Sequence, residues 1–272
     1  LTSPVKILSA QYYDSYDFMA LSGFSTLGYA TPESTFGTRY TTSYKSLLTG
    51  TYFAEAGSGS EEICSALYYD NRGRLIQSQA TNHLAGKDSE FIGYNFSGQP
   101  LKTKTVHTAS GKPSQTEYYT YTYDHAGRLT KTEHRQGSST ATPTILAENT
   151  YDDLGRLKTS KKGNLPASTY TYNVRSWMKS ITGTLFSQTL YYNDSYAGNS
   201  PRYNGNISAM SWKAGSETLR GYRFTYDGLS RITKADYLLN GSLNDNYKIP
   251  TISYDKHGHI KAMQRWGQTS SG

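Results

Sequence analysis

Tyr119-Thr120-Tyr121-Thr122-Tyr123-Asp124-His125-Ala126-Gly127-Arg128-Leu129-Thr130-Lys131-Thr132-Glu133 holds a strand, a turn and a second strand in one run. Tyr119, Tyr121 and Tyr123 alternate with Thr120 and Thr122, the period of two that marks a strand. Asp124 opens the turn, where its carboxylate can accept a backbone N–H as an Asx-turn. Gly127, the fourth turn residue, can take positive φ and so close a type I turn followed by a left-handed residue. Beyond it the alternation resumes. Leu129 and the Tyr row supply the buried contacts, and Arg128 is expected along or over a cross-strand Tyr ring.

The same pattern recurs. Tyr69-Asp70-Asn71-Arg72-Gly73-Arg74-Leu75 and Tyr151-Asp152-Asp153-Leu154-Gly155-Arg156-Leu157 repeat it closely. Tyr226-Asp227-Gly228-Leu229-Ser230-Arg231-Ile232 and Tyr254-Asp255-Lys256-His257-Gly258-His259-Ile260 are weaker copies. Tyr94-Asn95-Phe96-Ser97-Gly98-Gln99-Pro100 and Tyr172-Asn173-Val174-Arg175-Ser176-Trp177-Met178 are degenerate, and Tyr203-Asn204-Gly205-Asn206-Ile207 reads as a shortened copy. The leading Tyr recurs on average every ~26 residues, within the range of repeat architectures. Allowing for two turns per repeat, each strand should run to roughly nine residues, about 30 Å. Second turns are expected at Gly137-Ser138-Ser139, Gly163-Asn164, Gly215-Ser216 and Asn240-Gly241-Ser242. Before residue 60 the pattern weakens: Tyr13-Asp14 and Tyr16-Asp17 lack the Gly-Arg that should follow. The expected organisation is an irregular lead-in with an atypical first hairpin over 1–60, a repeat array over 61–265 and a tail over 266–272. Ala56-Gly57-Ser58-Gly59-Ser60 reads as a loop.

Composition agrees with strands. Of 272 residues, 26 are Tyr, 8 Phe and 3 Trp, while the hydrophobic share is 35%. Tyr suits a half-buried pleated surface and tolerates a wet edge, so partly hydrated faces fit better than a dense aliphatic core. The net charge of +7 could attract anions, but the basic residues are dispersed and a solvated surface accounts for them. A nucleic-acid interface, which needs a basic strip interleaved with aromatics, is not expected. A single cysteine, Cys64, rules out an internal disulfide framework and a multi-cysteine metal site. No run of about 18 apolar residues would span a bilayer as a helix. Leu1 opens no signal peptide, so the chain reads as a piece of something longer or a processed product.

Tyr-Asp-x-x-Gly-Arg-Leu at this period resembles the YD repeat of Rhs-type proteins over residues 64 to 262. With Tyr-Asn-Val-Arg-Ser-Trp at 172–177 and Tyr-Asn-Gly-Asn-Ile-Ser at 203–208, the chain is similar to Rhs proteins of gut-type Bacteroidetes. The resemblance implies an all-β fold of tandem antiparallel hairpins in one large, twisted, curved sheet, a segment of a spiralling shell. Bacterial members often enclose a C-terminal toxin, and animal teneurins use the shell in adhesion. It further implies a secreted or cell-surface bacterial location. The implied partners are the remaining repeats and C-terminal region of a parent protein, with self-association through open edges also expected. The protease core found in complete members has no counterpart here, since there is no Asp-Pro dipeptide.

No catalytic signature is present: Gly-x-Ser-x-Gly, His-Glu-x-x-His, Cys-x-x-Cys and Gly-x-Gly-x-x-Gly are all missing. His257 and His259 occupy turn positions, Asp152 has the turn role of Asp70, Asp124, Asp227 and Asp255, and Cys64 reads as a small strand residue. The chain is therefore expected to be a non-enzymatic structural element without metal or cofactor. Its motif residues are Tyr69, Asp70, Gly73, Arg74, Tyr123, Asp124, Gly127, Arg128, Tyr151, Asp152, Gly155, Arg156, Tyr226, Asp227, Arg231, Tyr254, Asp255 and Gly258. The alternative is a glycan or cell-surface binding module that uses Trp177, Trp212 and Trp266 as stacking platforms.

Overall fold

The computed structural model describes residues 6–33, 36–56 and 62–267. The loop expected at 56–60 and the tail from Gln268 to Gly272 lie wholly or largely outside the described residues. The chain is all-β, with one short 3-10 turn at Asp17–Ala20. It divides into two compact units, 1–147 and 148–272.

In the first unit the strands are β1 (Ser9–Asp14), β2 (Tyr44–Ala54), β3 (Glu62–Tyr69), β4 (Leu75–Thr81), β5 (Lys87–Tyr94), β6 (Pro100–His107), β7 (Gln115–Tyr123) and β8 (Leu129–Gln136). Each pairs antiparallel with the next in sequence. The strand β9 (Thr144–Tyr151) leads into the second unit. There β10 (Leu157–Lys162), β11 (Ser168–Tyr172), β12 (Met178–Thr182), β13 (Phe186–Tyr191), β14 (Ala209–Ala214), β15 (Arg220–Tyr226), β16 (Ile232–Leu239) and β17 (Ser242–Leu243) pair in the same consecutive way. The strands β18 (Thr251–Tyr254) and β19 (Ile260–Gln264) form a separate two-stranded sheet. That last hairpin departs from a single unbroken sheet. The short β17 occupies the end of β16, and only an isolated bridge joins Ala235 to Ile249. Pro250, directly before β18, has no N–H to extend the ladder.

The strands are mostly shorter than the expected nine residues. β7 reaches 9, but β11 and β12 have 5 each. Around β11 and β12 the repeat itself is shorter, with Tyr172 following Tyr151 by 172 − 151 = 21 residues, while between β4 and β5 and between β6 and β7 the second turns, 82–86 and 108–114, are longer than four residues. The glycines expected at those turns do take the left-handed conformation: φ is 80° at Gly137, 53° at Gly163 and 50° at Gly215, and Asn240-Gly241 follows at 51° and 77°.

The densest packing in the first unit comes from the lead-in. Between β1 and β2 the stretch 16–29 covers one sheet face and buries Phe18, Phe24 and Leu27 against Cys64, Ala66 and Tyr68. Cys64, Ala66 and Tyr68 alternate along β3, so all three face the same way. The Tyr68 hydroxyl donates to the Leu27 carbonyl at 2.6 Å. Gly50 on β2 permits this cover, since a Cβ there would sit 2.4 Å from the Phe18 ring. Elsewhere most strand residues are only half-buried, as the Tyr-rich composition requires.

Candidate functional site

The repeat motif is where named side chains converge, and its geometry is nearly invariant. In the turn after β3, Asp70 Oδ1 accepts from the N–H groups of Arg72 and Arg74, both at 2.9 Å. Asp70 Oδ2 accepts from Arg74 Nε at 2.7 Å and Nη2 at 2.7 Å. Asp124 repeats this with Ala126, Arg128 and the Arg128 Nε at 2.6 Å. Asp152 does so with Leu154 and Arg156, and Asp227 with Leu229 and Arg231. In the last copy His259 Nδ1 stands 2.9 Å from Asp255 and takes the arginine's place. The fifth motif position is left-handed throughout: φ is 71° at Gly73, 78° at Gly127, 81° at Gly155 and 91° at Gly258. Ser230 and Ser176 are forced to 64° and 62° at the same position. Each turn ends in a one-residue register shift that sets the leading Tyr opposite the seventh residue, as at Tyr69–Leu75, Tyr123–Leu129, Tyr226–Ile232 and Tyr254–Ile260.

The carboxylates are held below the ordinary range. For Asp124 and Asp227 the backbone N–H of Arg128 or Arg231 contributes most. For Asp255 the His259 side chain leads. For Asp70 and Asp152 burial acts upward, but the backbone and guanidinium of Arg74 and Arg156 outweigh it.

The motif also reaches the next hairpin, to which the ring expected across the strand from the arginine belongs. The Arg74 guanidinium lies 4.8 Å from the centre of the Tyr94 ring, one repeat further on, and not over a ring of its own hairpin. Arg156 covers Tyr172 at 4.6 Å and Arg231 covers Tyr254 at 4.5 Å. Arg74 also donates to the Asn95 carbonyl at 3.0 Å. The covered Tyr completes the link, its hydroxyl donating to the carbonyl of the seventh residue of the preceding motif. Tyr94 reaches Leu75 at 2.9 Å, Tyr172 reaches Leu157 at 2.9 Å, and Tyr254 reaches Ile232 at 2.7 Å. Tyr69 reaches Leu48 at 2.6 Å and Tyr123 reaches Pro100 at 2.9 Å. Burial pushes the Tyr94 and Tyr226 hydroxyls up, with Arg74 and Arg202 acting the other way, so both stay protonated donors. Tyr151 ends β9 half-buried.

Two copies are interrupted, and in both the sequence pattern misleads. Tyr203 is 66% exposed and heads no hairpin. Tyr192 takes that role: its hydroxyl donates to the Met178 carbonyl at 2.9 Å. The second half of its motif arrives only at Ile207, whose carbonyl accepts from Tyr226 at 2.6 Å, while Arg202 covers Tyr226 at 4.9 Å. Tyr13-Asp14 is likewise a motif head. Tyr13 pairs with Leu48, Asp14 accepts from the Ser46 N–H, and Ser46 has φ 65°.

The tryptophans fall in different settings. Trp177 holds the arginine position of its motif and packs on Tyr192 at 5.1 Å, with the Arg175 guanidinium 5.2 Å from its ring. Trp212 stacks on Tyr222 at 5.7 Å. Trp266 is 47% exposed under the Lys248 ammonium at 4.7 Å. A cleft of about 500 Å³ in the second unit brings Trp177 together with Tyr203, Arg175, Asp194 and Lys179. Cys64 is fully buried, and burial pushes its thiol up. Among the described residues no group of three or more His, Cys, Asp or Glu side chains is placed to hold a metal.

No family model and no curated protein matches the chain. Among solved structures it is similar to a crystal structure of TcdB2-TccC3 without its hypervariable C-terminal region, at 13% identity and a TM-score of 0.38, over 82% of this chain and 13% of that one. It is also similar to the Tc holotoxin pore of Photorhabdus luminescens with a mutation in TccC3, at 12% identity and a TM-score of 0.30, over 83% of this chain and 14% of that one. The chain thus spans a small part of the chains it matches.

Proposed function

We propose that this chain is a wall segment of a larger Rhs-type YD-repeat shell, whose work is to enclose cargo or present a surface rather than to catalyse. The observation that carries this reading is the link from each motif to the next. Its parts serve to add hairpins one after another: the carboxylate closes the turn, the arginine covers the next ring, and the tyrosine hydroxyl anchors that ring to the turn behind. Such a design extends a barrier indefinitely. The parent protein would be bacterial, and secreted or displayed at the cell surface.

The test is the size and processing of the parent polypeptide in its native cells, read by an antibody to this segment and mass spectrometry. A product several times longer, with a separately released C-terminal piece, supports the shell. A mature product near this length overturns it. A second reading, a glycan or surface-ligand module, draws on the cleft that joins Trp177 and the exposed Tyr203 to Arg175 and Asp194. An aromatic wall with polar ends suits a sugar ring. Binding on a glycan array that is lost in Tyr203→Ala favours it, and a featureless array removes it.

A further inference from the structure

We propose that the first unit carries an oxyanion site, a cleft in which Lys102 and Arg135 bind the carboxylate or phosphate group of a small ligand. The site goes beyond the wall reading and does not depend on it.

The argument starts from register. On β6, β7 and β8, Lys102 stands opposite Thr120 and Thr120 opposite Glu133, while Tyr118 stands opposite both Lys104 and Arg135. Paired and alternate positions share a sheet face, so these side chains project together, with Lys131 beyond them. Four cations, Lys102, Lys104, Lys131 and Arg135, thus meet two carboxylates, Glu33 from the lead-in and Glu133. Both carboxylates are already engaged. Glu33 accepts from Lys104 Nζ and from the Tyr118 hydroxyl, each at 3.0 Å. Glu133 lies 2.9 Å from Lys131 Nζ and 3.9 Å from the Arg135 guanidinium. Lys102 is left without an ion-pair partner among the described residues. Its half-buried ammonium stands 5.3 Å from the centre of the buried Phe36 ring, and burial pushes its pKa down, with Glu33 acting the other way. A cation withdrawn from water without a counter-charge is costly, and an anion beside it recovers that cost. The Arg135 side chain is 20% exposed and its Nη1 donates to Thr120 Oγ1 at 3.2 Å. The Thr120 hydroxyl therefore keeps its own hydrogen for a ligand. Lys102, Thr120 and Arg135 line one cleft of about 330 Å³ with Phe36 and Ser139. An ammonium, a guanidinium and a hydroxyl converging beside an aromatic ring form the donor set that an oxyanion takes.

The test titrates the full chain at low ionic strength with sodium phosphate and, separately, with sodium acetate. The amide resonances of Lys102, Thr120 and Arg135 and the melting temperature follow binding. Saturable shifts at these amides with a rise in melting temperature are expected. Saturation by phosphate alone, by acetate alone or by both supports the site and names the group it takes. Lys102→Met keeps the stem beside Phe36 and removes the charge, so it should weaken binding about tenfold, and Arg135→Gln should do the same. Thr120→Val should weaken binding about threefold, as one lost hydrogen bond predicts. Lys158→Met, at an exposed cation of the second unit, should leave the affinity unchanged. The Lys102 and Arg135 variants read the same loss independently, so a folding defect in one leaves the other to decide. Shifts that saturate with neither anion overturn the proposal, as does parental affinity in both variants. A loss in Lys158→Met equal to that in Lys102→Met also overturns it, in favour of unspecific attraction by the net charge.

Discussion

Replacing Asp70 by Ala removes the cap and the ion pair of one turn together. Asp70 is 5% exposed and its carboxylate takes two backbone N–H groups and two guanidinium contacts. Hydrogen bonds to a charged acceptor contribute about 1.5–3 kcal/mol net, and breaking a buried pair costs about 3–5 kcal/mol. Two features pull the value to the low end. Arg74 keeps the Tyr94 ring and the Asn95 carbonyl. The smaller side chain also lets water reach the freed amides. The expected loss is therefore about 3 kcal/mol, or about 6–12 °C in the melting temperature of a unit this size. Urea unfolding followed by far-UV circular dichroism measures the loss, and hydrogen exchange at the Arg72 and Arg74 amides locates it. Asp70→Asn keeps an oxygen for the two N–H groups and gives up the charge, so it should lose about half as much. A loss under about 1 kcal/mol for the Ala variant, or unchanged exchange at both amides, would refute the assignment of the carboxylate as the keystone of the turn.

The link between hairpins predicts that Tyr226→Phe, which loses only the hydroxyl on the Ile207 carbonyl, costs about 1 kcal/mol; a urea midpoint equal to that of the parent chain would argue that water replaces the bond. Gly127→Val should cost about 1 kcal/mol or more, since φ there is 78° and a Cβ would lie 3.1 Å from the Gln99 amide; an unaltered melting temperature would contradict the turn type. The pH dependence follows from the lowered carboxylates Asp70, Asp124, Asp152, Asp227 and Asp255. The unfolded chain takes up these protons first, so their contribution is complete above about pH 4 and is lost as pH falls through the depressed folded values. The urea midpoint should hold level from pH 7 to about 5 and drop below about 4; a level midpoint down to pH 3 would count against the paired turns.

The local half of each motif was legible because it obeys short-range rules. An Asp that caps its own turn and a residue forced to positive φ are visible within five positions, even where Ser230 replaces Gly. The other half was not legible, because it is not local. Nothing in Tyr-Asp-x-x-Gly-Arg-Leu says that Arg74 will lie over Tyr94 rather than a ring of its own hairpin. That choice is made by how successive strands stack, not by sequence spacing. The same limit explains Tyr192 and Tyr13. Their motifs are cut by long excursions, so Tyr13-Asp14 shows only its first half, Tyr192 goes unmarked, and the contiguous pattern falls instead on Tyr203, which resembles the motif but is 66% exposed. Trp177, expected as a ligand platform, stands at the arginine position of its degenerate motif copy, and its packing on Tyr192 is the non-local part that the sequence leaves open.

The interrupted first motif has a consequence for how such a chain can vary. Its turn is closed by Tyr13 opposite Leu48 and by Asp14 on the Ser46 amide, although about thirty residues lie between them and Phe18, Phe24 and Leu27 among these pack on β3. Widening a four-residue connection to about thirty costs only about 2 kcal/mol in loop entropy. The burial of Phe18, Phe24 and Leu27 readily offsets that. Register is thus set by side chains at the mouth of the turn and not by its length. Each turn is accordingly a mounting socket: a folded insert whose ends lie close together can be plugged in there while the strands on either side keep their partners.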